Sequence, residues 1–124
     1  MRVQLIGYPT CSTCKKALKY LKDHEIDTAF RHIVEQTPDQ TELHRIWKKS
    51  GLPLRKLFNT SGNAYKELQL KDKLDGMSEE EQLMLLASNG MLIKRPILIS
   101  DTNVLIGFDE KNYQKVCDDH KNVV

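Results

Sequence analysis

Between Met1 and Val34 the hydrophobic pattern changes period twice, and this restricts the fold more than any other feature of the chain. Val3-Gln4-Leu5-Ile6-Gly7-Tyr8 is a short β-type run closed by Pro9. From Cys14 the spacing becomes helical. Ala17, Leu18, Leu21 and the His24-Glu25-Ile26 group follow one face, and Lys15, Lys16, Lys19 and Lys22 fall on the outer one. A second extended run covers Ala29 to Val34. Strand, helix and strand in so short a stretch form a βαβ unit, which favours parallel pairing and a right-handed crossover.

The middle of the chain reads as helical. Thr37-Pro38-Asp39-Gln40 offers Thr37 as N-cap, Pro38 at the first helical position and Gln40 as capping-box partner. That helix is expected to bury Leu43, Ile46 and Trp47 and to stop at Gly51. Leu54, Leu57 and Phe58 predict a short helix ending near Asn59-Thr60-Ser61-Gly62, and Tyr65, Leu68 and Leu70 a broken one. Ser78-Glu79-Glu80-Glu81 is a second capping box, opening a helix through Leu83, Leu86 and Ala87 that closes at Asn89-Gly90. The β period then returns. Ile97-Leu98-Ile99 and Val104-Leu105-Ile106 flank Asp101-Thr102-Asn103, which is hairpin chemistry, and Asp109 caps a last helix with Tyr113, Val116 and Cys117 on its apolar stripe. The expected fold is α/β: a four-stranded mixed sheet in the order βαβ…ββα with an inserted helical block. One domain is expected over residues 1–124, its core about 1–36 and 91–120 and the helical insertion about 37–90.

The chain has 124 residues, a size suited to a single core. Lys plus Arg number 19 against 17 Asp plus Glu, a net charge of +2, which is too even to argue for direct nucleic-acid or membrane binding. No run approaches the roughly 20 apolar residues of a membrane span, and Met1 to Gly7 is too short for a secretory signal. The expected location is the cytoplasm. There thiols are kept reduced, so two close cysteines read as redox-active or metal-binding and not as a structural staple.

The strongest local signal is Tyr8-Pro9-Thr10-Cys11-Ser12-Thr13-Cys14-Lys15-Lys16. At a strand-to-helix corner this spacing puts the Cys11 sulfur over the helix N-terminus and Cys14 one turn inside. Free N–H groups and the helix dipole there favour an anion. The thiolate is the nucleophile, so the same factors activate Cys11. Lys15 and Lys16 add positive charge, and Ser12 and Thr13 are candidate hydroxyl donors to the sulfur. Cys11 would attack a disulfide or an oxidised substrate, and Cys14 would close an internal disulfide. An alternative is a zinc site completed by Cys117 and His120. Cys117 otherwise reads as core.

With these residues placed, the chain resembles the ArsC/Spx family, the arsenate-reductase-like branch of thioredoxin-like proteins. The likeness rests on the Cys11 loop, Leu57-Phe58-Asn59-Thr60-Ser61-Gly62 followed by Tyr65-Lys66-Glu67-Leu68, Lys94-Arg95-Pro96-Ile97 and Gly107-Phe108-Asp109-Glu110. It implies a thioredoxin-like sheet, a cis Pro96 against the redox cysteine and an Arg95 guanidinium aimed at the site, a planar fork for a thiolate or oxyanion. It also implies no bound cofactor, glutathione as co-substrate, and glutaredoxin, thioredoxin or glutathione as reductant. Arsenate reductases of the family hold the oxyanion with three arginines. Only Arg95 has a counterpart here, since Asn59-Thr60 and Gly107-Phe108 stand where the others would fall, so efficient arsenate reduction is not expected. The dithiol and Gly107-Phe108-Asp109-Glu110 resemble the Spx side, whose members bind the C-terminal domain of the RNA polymerase α subunit. On that alternative Gly51 would be a partner-binding position; otherwise it is a helix C-cap.

Overall fold

A computed structural model describes residues 2–122. In chain order the regular elements are β1 (Arg2–Gly7), α1 (Ser12–Asp23), β2 (Asp27–His32), α2 (Gln40–Ser50), α3 (Asn63–Glu67), α4 (Leu70–Lys73), α5 (Glu79–Ser88), β3 (Ile97–Ile99), β4 (Val104–Ile106) and α6 (Glu110–Asn122). Short 3₁₀ turns cover Leu54–Leu57, Leu74–Gly76 and Gly90–Leu92. Two compact units result: the residues up to His32 with those from Arg95 onward, and Ile33–Lys94.

The first unit contains the sheet, in the order β2-β1-β3-β4. β1 and β2 run parallel, with Leu5 opposite Phe30. β3 is antiparallel to β1, with Leu5 opposite Leu98, and β4 is antiparallel to β3, with Leu98 opposite Leu105. This is the mixed four-stranded sheet that the periodicity predicts, and it is the thioredoxin-like arrangement. One apolar cluster joins sheet and helices: Leu5 and Leu98 from the strands, Ala17 and Leu21 from α1, and Tyr113, Val116 and Cys117 from α6. Cys117 is fully buried in it, as its place on the α6 stripe implied. Asp109 starts α6, its carboxylate accepting from Lys111 N–H at 2.9 Å and its carbonyl from Tyr113 N–H at 3.0 Å.

Two boundaries differ from the sequence reading. α1 ends at Asp23, before the predicted His24-Glu25-Ile26 turn, because Glu25 adopts a left-handed φ of 58°. The Ile26 N–H then donates to the Leu21 carbonyl at 2.9 Å, and Ile26 enters the core after the helix has stopped. No glycine marks this stop. β2 begins at Asp27, two residues ahead of the predicted Ala29, because its register on β1 starts at the Arg2–Asp27 pair.

In the second unit α2 buries Leu43, Ile46 and Trp47 and ends at Gly51, whose φ of 71° favours glycine. Its N-cap is Asp39, which accepts from Glu42 N–H at 2.8 Å, and not the predicted Thr37. The Thr37 hydroxyl instead donates to the Ile33 carbonyl at 2.8 Å, so the helix starts two residues later. The Ser78 capping box forms in both directions, at 3.1 Å each way. Among the described residues no helix is long and apolar enough to cross a membrane.

Leu98 is fully buried where the sheet meets α1 and α6. Leu98→Ala is expected to destabilise the fold by about 2–5 kcal/mol, read as a lower urea midpoint with an unchanged m-value.

Candidate functional site

The site is built where β1 gives way to α1. A turn closes the corner, with the Cys11 N–H donating to the Tyr8 carbonyl at 3.1 Å. Cys11 becomes the N-cap residue of α1 in extended conformation (φ −74°, ψ 122°), and its carbonyl accepts the first helical bond, from Lys15 N–H at 3.0 Å. Its side chain makes no capping hydrogen bond, and the first turn carries no acidic residue. The sulfur therefore sits beside the orphan N–H groups of a helix start with no competing anion. Cys14 lies one turn inside and is buried.

The two thiols have opposite environments. Burial pushes the Cys11 thiol up, but the Cys14 N–H, the Cys14 thiol, the Thr13 N–H and the Arg95 guanidinium outweigh it, and the net shift is downward. Burial dominates at Cys14 and raises it to about 11; the Cys11 sulfur adds to the rise, by hydrogen bond and by charge, and the Tyr8 N–H and Arg95 oppose it. The pair thus divides into a thiolate-prone group at the surface and a protonated one beneath. Thr13 acts on Cys11 through its backbone N–H. The Ser12 and Thr13 side chains are exposed and make no hydrogen bond to the sulfur, contrary to the expectation of hydroxyl donors. Lys15 and Lys16 are also exposed and are not among the groups that lower Cys11. They project outward from the helix, and the cation at the site is Arg95.

The Arg95-Pro96 peptide bond is cis, and Pro96 is buried. The Pro96 carbonyl accepts from Gly107 N–H at 2.7 Å, and the buried Tyr113 hydroxyl donates to the Gly107 carbonyl at 3.3 Å. These bonds tie the β3 entry to the start of α6. Arg95 Nε and Nη1 are shut off from solvent and have no hydrogen-bond partner. The guanidinium carbon lies 5.6 Å from the centre of the Tyr8 ring. Buried donors left open beside a thiolate-prone sulfur are chemically suited to an anion.

Two residues that the sequence reading did not single out shape the Cys14 side. The Tyr8 N–H donates to Cys14 Sγ at 3.5 Å. A Cβ on Gly7 would stand 2.9 Å from the same sulfur, so only glycine leaves room for it. The signal was present as Gly7-Tyr8 at the strand end, but the crowding involves a side chain one helical turn away. Phe108 packs edge-on against Tyr113 with ring centroids 4.8 Å apart. Gly51 is exposed, with nothing within 4 Å of a Cβ placed there, and its left-handed cap accounts for the glycine. Among the described residues no group of three His, Cys, Asp or Glu could hold a metal ion. Cys117 lies in the core, and the side chain of His120 lies outside the described residues.

The folded state holds the Cys14 proton more tightly than an unfolded chain, whose thiols titrate at about 8.5. Between about pH 8.5 and about 11 the unfolded state therefore binds fewer protons, and stability falls as pH rises through that window. Burial also raises Tyr113, which acts in the same direction. Urea unfolding at a series of pH values is expected to show this decline, with a shallower slope in Cys14→Ala.

Residues 6–116 match the ArsC family model. The Bacillus subtilis protein YusI is 50% identical over 115 residues, covering 93% of this chain and 98% of its own. The regulatory protein MgsR of the same organism is 31% identical, covering 83% and 80%. A putative ArsC family related protein from Bacteroides fragilis has a TM-score of 0.90 at 47% identity, covering 93% and 97%. A possible arsenate reductase from Streptococcus mutans has a TM-score of 0.82 at 39% identity, covering 90% and 97%. The match spans nearly the whole chain, and the chain belongs to the ArsC family.

Proposed function

We propose that this protein is a thiol–disulfide oxidoreductase of the ArsC family, with Cys11 as nucleophile, Cys14 as resolving thiol and Arg95 as the cation that supports the anion. The observation that carries the reading is the opposed character of the two thiols: Cys11 is lowered at the α1 N-terminus while Cys14, three residues on, is raised to about 11.

The Cys11 thiolate attacks one sulfur of a substrate disulfide. A Cys11–substrate disulfide forms, the substrate S–S bond breaks and the first substrate thiolate departs. Until then Cys14 keeps its proton, partly because the Cys11 sulfur accepts a hydrogen bond and repels a second negative charge. The mixed disulfide removes both effects. Cys14 then passes its proton to the departing thiolate and attacks Cys11 Sγ, closing the Cys11–Cys14 disulfide and releasing the second substrate thiol. Two electrons have moved from the dithiol to the substrate. A thiol reductant, glutathione, glutaredoxin or thioredoxin, restores the dithiol, with no bound cofactor required. Arsenate is a poor substrate on this reading, because Arg95 supplies one charged donor where arsenate reductases use three arginines, and each missing charged bond costs about 1.5–3 kcal/mol.

The test is turnover of hydroxyethyl disulfide with each of the three reductants in turn. Wild type is expected to cycle, Cys14→Ser to accumulate a mixed disulfide at Cys11, and Cys11→Ser to be inert. Cycling by Cys11→Ser, or an inert wild type, contradicts the assignment.

A second reading is supported by the likeness to the regulatory protein MgsR and by the open surface at Gly51. It is a redox-sensing regulator that binds the C-terminal domain of the RNA polymerase α subunit. Capture of that domain by the reduced or oxidised protein, lost in Gly51→Arg, favours it. Absence of binding in both states excludes it.

A further inference from the structure

We infer that Tyr8 is a positioning residue of the dithiol site, its ring holding the Arg95 guanidinium so that its positive charge stays beside the Cys11 sulfur. The inference rests on the oxidoreductase reading and adds to it a residue outside the Cys-x-x-Cys and Arg-Pro pairs.

Arg95 needs such a support. It is a long, rotamer-rich side chain, and its Nε and Nη1 are buried without any hydrogen-bond partner to fix them. Its guanidinium carbon lies 5.6 Å from the centre of the Tyr8 ring, within the range over which a cation is attracted to an aromatic face. The ring is itself held. Its backbone N–H donates to Cys14 Sγ at 3.5 Å, its carbonyl accepts the Cys11 N–H at 3.1 Å, and the His32 ring meets it edge-on at 5.3 Å. The residue whose backbone bonds to both cysteines therefore also carries the cation. A ring holds the guanidinium without occupying its N–H groups, whereas a carboxylate partner would neutralise it and consume the donors needed by a thiolate. The hydroxyl takes no part in this, so phenylalanine is an adequate replacement and an aliphatic residue is not.

Two readouts test the inference on the intact chain. The first is the Arg95 Nε–Hε resonance, a reporter of the guanidinium whose carbon lies 5.6 Å from the ring centre. It is expected to keep its shift in Tyr8→Phe and to move toward the position of a free arginine in Tyr8→Leu. The second is the rate of Cys11 alkylation by iodoacetamide against pH. Tyr8→Leu is expected to displace the curve upward and slow alkylation at neutral pH by about three- to tenfold. Tyr8→Phe should match wild type, and Tyr8→Leu combined with Arg95→Met should be no slower than Arg95→Met alone. An Arg95 resonance unmoved by Tyr8→Leu overturns the inference, as does a Tyr8→Leu effect that adds in full to Arg95→Met. A wild-type Cys11 that titrates like free cysteine, with the Arg95 signal behaving as stated, overturns the oxidoreductase reading and leaves Tyr8 as the support of Arg95.

Discussion

The start of α1 is the constraint on which the chemistry of this protein depends. A helix start leaves backbone N–H groups without partners, and most helices satisfy them with Ser, Thr, Asp or Asn at the N-cap. Here the N-cap residue is Cys11, and it makes no side-chain capping bond. In its thiolate form the sulfur is the anion that the helix lacks. The arrangement is a weak cap for stability, worth up to about 1–2 kcal/mol less than a good one, and a strong one for reactivity. The rest of the first unit follows from keeping that corner in place. β1 delivers the turn, Gly7 clears space for Cys14, and the bonds from Gly107 to Pro96 and from Tyr113 to Gly107 hold the cis-proline segment that carries Arg95.

The depth difference between the two sulfurs gives the reaction its direction. A pair of equally exposed cysteines would share the charge and attack indiscriminately. Burial of Cys14 and the half-buried position of Cys11 at the helix end assign the first attack to one sulfur and the second to the other, and the charge on Cys11 delays the second until the first is complete. The lysines of α1 lie on the wrong side of the helix to contribute. The cation comes from Arg95, distant in sequence, and is not solvated away because two of its three nitrogens are buried.

Features fixed by local chemistry were legible in the sequence. The Ser78 capping box, the Gly51 stop, the Asp101-Thr102-Asn103 hairpin and the α6 stripe ending in Cys117 each depend on neighbours within one or two turns, and each appears where the pattern puts it. The errors come from tertiary choices. Thr37 and Asp39 are both good N-caps, and the choice went to Asp39 because the Thr37 hydroxyl is taken by the Ile33 carbonyl. α1 stops at a left-handed Glu25 with no glycine to announce it. At the site, the cysteines were visible as a motif and Arg95-Pro96 through the family likeness. The roles of Gly7 and Tyr8 were not, since they consist of contacts across the β1–α1 corner and with Arg95, far along the chain. Ser12, Thr13 and Lys15 looked suitable by sequence proximity, yet a helix turns them away from the sulfur that precedes them.

The central claim is that Cys11 gives up its proton more readily than a free thiol, and well before Cys14. Titration of the cysteine Cβ resonances in protein labelled with ¹³C at that carbon reports both thiols separately. The account predicts a Cys11 midpoint below that of a free thiol, about 8.5, while Cys14 stays protonated until about 11. A Cys11 midpoint at or above the free value, or Cys14 titrating first, would contradict it.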